Sequence, residues 1–122
     1  DSESSTLVEI NKNSKYYKKK NFYLDFFNLK NKNFLLTKVK IDRLDNIISK
    51  EKIALIDILK IDTEGYDFHV IKGLGEFIKK VKFVYFEHHF HTMLKKNYNY
   101  FEVDDFLKKN NFKKVFKKKN VL

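Results

Sequence analysis

Two groups of side chains in this sequence have the types and spacing for chemistry. The first is Asp62-Thr63-Glu64-Gly65, two carboxylates one residue apart and followed by a glycine. A carboxylate can position a cationic or hydroxyl-bearing ligand, or take a proton as general base. The second is Glu87-His88-His89-Phe90-His91. An imidazole titrates near neutral pH and serves equally as base or as ligand contact. If the chain stayed extended there, Glu87, His89 and His91 would share one face at period two. Such a set could also hold a divalent metal. Each group has a plain structural reading. Asp62 and Glu64 could cap the helix that follows and complement its dipole, and the histidines could belong to a loop.

The elements that must position these groups can be read from the pattern. Leu55, Ile56, Ile58, Leu59 and Ile61 form a nearly continuous apolar run, the pattern of a parallel strand covered on both faces. It ends at Asp62, and Gly65 supplies a sharp turn. Val70, Ile71, Leu74, Phe77 and Ile78 then recur at helical spacing, with a helix from about Tyr66 to Lys72 interrupted at Gly73-Leu74-Gly75. Lys82 to Glu87 is the next strand. Strand, helix, strand implies a parallel pair, and in such sheets ligands bind beyond the carboxyl ends of the strands. That edge would carry both groups. Upstream, residues 1–21 read as loop. Phe22–Phe27 and Phe34–Ile41 read as strands of an antiparallel hairpin, and Asp42 as the N-cap of a helix from Arg43 to about Lys50. Downstream, 88–99 reads as loop, Tyr100–Lys109 as helix and Phe112–Phe116 as a short last strand. His69 reads as surface or packing. Tyr16-Tyr17, Tyr98 and Tyr100 read as core or loop anchors.

Composition narrows the classes. With 43% hydrophobic and 16% aromatic residues the 122-residue chain can build one modest core, so disorder is excluded. It has no cysteine, which rules out disulfides and thiolate metal sites and fits a cytoplasmic setting. No apolar run is long enough to cross a membrane. The net charge of +10 invites a nucleic-acid partner. Nearly all of it is lysine, however, and Arg43 is the only arginine. Specific phosphate and base recognition favours the arginine fork, so a solvated basic surface is expected and nucleic acid is not.

Leu59-Lys60-Ile61-Asp62-x-Glu64-Gly65, followed by Val70-Ile71-x-Gly73, resembles the signature of the FkbM family of methyltransferases, which use S-adenosylmethionine. Val39-Lys40-Ile41-Asp42-Arg43-Leu44-Asp45 and Val84-Tyr85-Phe86-Glu87 resemble the family's flanking segments, and the likeness covers roughly 37 to 115. It implies a Rossmann-like α/β fold, mostly parallel with flanking helices, and methyl transfer to a hydroxyl of a sugar or other small molecule. It places Asp62 near the donor's methionine end and the acceptor. Glu64, Glu87 and His88 then become candidates for acid–base work, and Glu64, His89 and His91 for acceptor contact, and no residue is assigned as a metal ligand. The family's Gly-rich turn after its first strand, and the acid ending its second, have no counterpart here, because the first glycine is Gly65. The resemblance therefore implies one domain over 1–122 that is the C-terminal part of a methyltransferase domain, its cofactor-binding first half absent. Alone, such a chain is expected to be inactive and to self-associate through an exposed sheet edge. A non-catalytic basic binding module and an inactive remnant are the competing readings.

Overall fold

The computed structural model describes residues 5–27 and 37–118. In chain order the elements are α1 (Lys15–Phe26), α2 (Leu44–Lys50), β1 (Ile56–Ile61), α3 (Asp67–Lys72), a 3₁₀ helix (Gly75–Lys80), β2 (Val81–Phe86) and α4 (Tyr100–Lys109). The two strands run parallel, with Ile56 opposite Val81 and Ile61 opposite Phe86. The architecture is mixed α/β, a two-stranded parallel sheet with flanking helices.

The core lies on one face of this sheet. Ile71, Leu74 and Val103 are fully buried there, joined by Ile61, Phe68 and Ile78, with Leu59, Val84 and Phe86 packed against them. Alternation along the strands sends Ile58, Phe83 and Tyr85 to the other face. That face is open, with Ile58 69%, Phe83 57% and Tyr85 51% exposed. The continuous apolar run was expected to be covered on both faces. Among the described residues only one face is covered.

Three expectations upstream and downstream are corrected. Phe22–Phe27 is not a strand. It lies in α1, apart from Phe27 at its C-cap, and α1 starts earlier, at Lys15 within the stretch read as loop. The buried Ser14 side chain accepts from the Tyr17 amide and nucleates the first turn. Aromatic residues favour strands only where a sheet buries them. Phe22 and Phe26 are well exposed, so the helix, which satisfies its own backbone, prevails. The hairpin fails with that strand. Of its second member, residues 37–41 are irregular and 34–36 lie outside the described residues, as do 28–33 of the connecting turn. Phe112–Phe116 is also irregular. Asn111 adopts φ 66°, and the Phe112 amide turns back to donate to the Leu107 carbonyl at 3.0 Å, which closes α4 without reaching a strand edge.

Elsewhere the expectations agree with the structure to within a residue or so. Asp42 sits one place before the N-cap of α2, where its Oδ1 accepts from the Arg43 amide at 2.8 Å and from Asn46 Nδ2 at 2.7 Å. Asn99 caps α4 in a reciprocal box with Glu102. Among the described residues, no helix is long and apolar enough to cross a membrane.

Candidate active site

The carboxyl ends of β1 and β2 lie side by side. The Glu87 amide donates to the Ile61 carbonyl at 3.3 Å, so Asp62 and Glu87 leave the sheet at the same edge. Both side chains are solvent-facing, and Lys60 Nζ lies 3.7 Å from Asp62 Oδ2.

The turn after β1 is built around a residue that sequence reasoning passed over. Asp67, at 2% exposure, accepts from the Thr63 amide at 3.1 Å and the Gly65 amide at 3.2 Å. Between those amides Glu64 is held at φ 49°, a left-handed conformation that costs about 1–2 kcal/mol for a residue with a Cβ. Thr6 Oγ1 donates to the Glu64 carbonyl at 2.7 Å, and Tyr98 Oη donates to the Gly65 carbonyl at 3.1 Å. Burial pushes the Tyr98 phenol up to about 12, so it stays a donor. Gly65 has φ 98°, and a Cβ there would meet Val8 Cγ2 at 3.1 Å and Leu94 Cδ1 at 3.2 Å. The signal that could have exposed Asp67 was its polar type inside the otherwise apolar face of Phe68 and Ile71.

This strained turn brings Glu64 to the histidines. His89 Nε2 lies 3.1 Å from Glu64 Oε2, both side chains less than a third exposed. The distance is that of an ion pair, but the ring N–H is not aligned for a hydrogen bond. His91 lies beside His89, ring centroids 5.1 Å apart, and Tyr16 from α1 stacks on His91 at 4.1 Å. The N-terminal segment is fastened here by an Ile10–Leu94 bridge and by the Asn11 amide donating to the Met93 carbonyl at 2.7 Å. Burial lowers the His91 imidazole, with His89 adding to the effect.

His88 turns the other way, edge-on to Tyr98 and Tyr100. Burial pushes its imidazole down to about 4, with the Lys96 ammonium contributing. It is therefore neutral at physiological pH and a poor proton acceptor. Lys96 Nζ donates to the His89 carbonyl and lies 3.5 Å from His88 Nε2. His88, His89, His91, Lys96, Tyr98 and Tyr100 help to line an open hollow of about 480 Å³. His69 lies outside it, stacked on Tyr66 at 4.4 Å and lowered by burial, a packing role as expected.

Of the six candidates, the structure thus brings Glu64, His89 and His91 together. It leaves Asp62 and Glu87 at the open edge and gives His88 to the aromatic wall. The arrangement suits proton transfer and acceptor positioning. Among the described residues no three His, Cys, Asp or Glu side chains are gathered to hold a metal ion.

A parallel strand pair with flanking helices marks an α/β domain, and in such domains ligands bind past the carboxyl ends of the strands. The methyltransferase FkbM domain matches residues 5–114, nearly the whole chain, and the protein belongs to that family. No curated protein and no solved structure matches it.

Proposed function

We propose that the chain forms the acceptor side of a Rossmann-like, S-adenosylmethionine-dependent O-methyltransferase acting on a hydroxyl of a sugar or other small molecule. The observation that carries this reading is the 3.1 Å approach of Glu64 and His89 at the carboxyl edge of parallel strands, in a member of the FkbM family. With the ring proton on Nε2, the nitrogen beside Glu64, His89 Nδ1 is the basic nitrogen. It takes the acceptor's hydroxyl proton, and Glu64 stabilises the imidazolium that forms, a division of labour worth roughly 10²–10⁴-fold.

Toward the donor, the chain's own residues fit one end only. Asp62 offers a solvent-facing carboxylate suited to an ammonium group. The Thr63 and Gly65 amides are already taken by Asp67. No glycine-rich strand-to-helix turn precedes Gly65. Bound, the donor supplies an electrophilic methyl group on a sulfonium. The open face of Ile58, Phe83 and Tyr85 supports the reading of 1–122 as the C-terminal part of the domain, the remainder of which would cover it.

The test is turnover of the full-length protein with hydroxyl acceptors. Glu64→Gln and His89→Gln should each lower kcat at least a hundredfold, on the scale of lost general-base catalysis, and the double variant should add little. Wild-type turnover in both single variants would overturn the assignment.

A further inference from the structure

We propose that Lys96 and His88 form an anchor for a carboxylate in the hollow beside Glu64 and His89. The proposal rests on the functional reading above only for which molecule brings the carboxylate, the acceptor or the amino-acid end of the donor.

The first ground is charge. Lys96 is half-buried, and the groups that touch its ammonium are neutral, namely the His89 carbonyl, the His88 ring and the face of Tyr98, 5.7 Å to its centroid, while the buried Asp67 carboxylate acts on it only from farther off. Among the described residues no carboxylate lies within 4.0 Å of it. Its neighbour Lys95 differs, with Glu9 Oε1 at 2.5 Å. Withdrawing a cation from water without an anion in contact is costly, and burial lowers the Lys96 ammonium against the opposing pull of Asp67. A ligand anion supplies a counter-charge in direct contact.

The second ground is hydrogen bonding. His88 Nδ1 and His91 Nδ1 are buried without a partner, and buried polar atoms left so are uncommon enough to need an explanation. The hollow they help to line is of ligand size. The Lys96 ammonium beside the His88 imidazole suits a carboxylate, and Lys117, over the Phe90 and Tyr100 rings at 4.9 and 4.3 Å, adds positive charge at the rim. A carboxylate needs no arginine fork, and the only arginine, Arg43, is engaged by Asp45 at 2.5 Å. The chemistry fits a hydroxy acid such as a uronic acid, or an amino acid.

The experiment is NMR titration of this chain, reading the His88 ring and Lys96 side-chain signals, with sodium glucuronate, with glucose and with L-methionine. At least one acid should move both sets of signals saturably while glucose does not. Lys96→Met should weaken that binding tenfold or more, the scale of a charge-assisted hydrogen bond. Lys96→Arg should retain it, and Lys95→Met should leave it unchanged. A response to glucuronate assigns the anchor to the acceptor, and a response to methionine alone assigns it to the donor. Signals that follow neither acid more than glucose would overturn the anchor, as would equal losses in Lys96→Met and Lys95→Met. Should Lys96→Met not fold, His88→Gln is read instead, and unchanged binding there refutes the proposal. Because binding is read without turnover, acid binding in a protein that transfers no methyl group removes the proposed function and keeps the anchor. Methyl transfer without acid binding does the reverse.

Discussion

Asp67 offers the sharpest test of how the site is held. Its buried carboxylate is the acceptor for two backbone amides, those of Thr63 and Gly65, on either side of the left-handed Glu64. Replacement by alanine orphans both donors. A buried donor without a partner costs about 1–3 kcal/mol. The Gly65 amide is buried and the Thr63 amide partly so, which places the total at roughly 2–4 kcal/mol. Against a domain stability of about 5–15 kcal/mol this is a large fraction. Asparagine keeps the shape and one acceptor oxygen but turns an NH₂ toward the second amide, so Asp67→Asn should cost about half as much. Urea unfolding followed by circular dichroism reads both values. The His89 ring signals should also move in Asp67→Asn, because the turn no longer fixes Glu64 against His89. Two variants within about 0.5 kcal/mol of wild type, the range of ordinary surface substitutions, would refute the reasoning.

Further outcomes follow from other positions. Gly65→Ala should destabilise by about 1–3 kcal/mol, since it adds a Cβ at φ 98° within 3.1 Å of Val8, and thermal unfolding would show it. The His88 imidazole should titrate near pH 4 by NMR rather than at the ordinary 6.5. Its folded value is depressed, so the unfolded chain binds the proton more readily. The contribution from keeping His88 neutral is full above about pH 6.5 and is lost as the pH falls toward 4, which urea midpoints across that window should follow. Asn99→Ala, which removes the capping box of α4, should cost about 1 kcal/mol by urea unfolding. Light scattering should show self-association of the chain, relieved by Ile58→Lys with Phe83→Lys, because those side chains stand exposed on the open sheet face.

The strand–turn–helix–strand frame was legible because its signals are local. The apolar run of β1, the break at Asp62, the glycine after Glu64 and the helical spacing of Val70, Ile71 and Leu74 each report on neighbours a few residues away. The parallel pairing followed from their order alone, and with it the meeting of Asp62 and Glu87 at one edge. The apolar spacing of Val103, Phe106 and Leu107 marked α4 equally well. What sequence could not weigh was burial. Phe22, Tyr23 and Phe26 carry strand propensity, but among the described residues no sheet covers them and they stay helical and exposed. Ile58 and Phe83 look like core residues, and only the one-sided packing of the sheet leaves them outside. The site divides in the same way. Residue types named the six candidates, but the pairing of Glu64 with His89, the withdrawal of His88 into an aromatic wall and the role of Asp67 depend on contacts between residues distant in the chain. Thr6 fastens to the Glu64 carbonyl and Tyr98 to that of Gly65, and Tyr16 reaches His91. Such contacts form only when loop closure brings separate segments together, so tertiary structure alone decided which carboxylate met which imidazole.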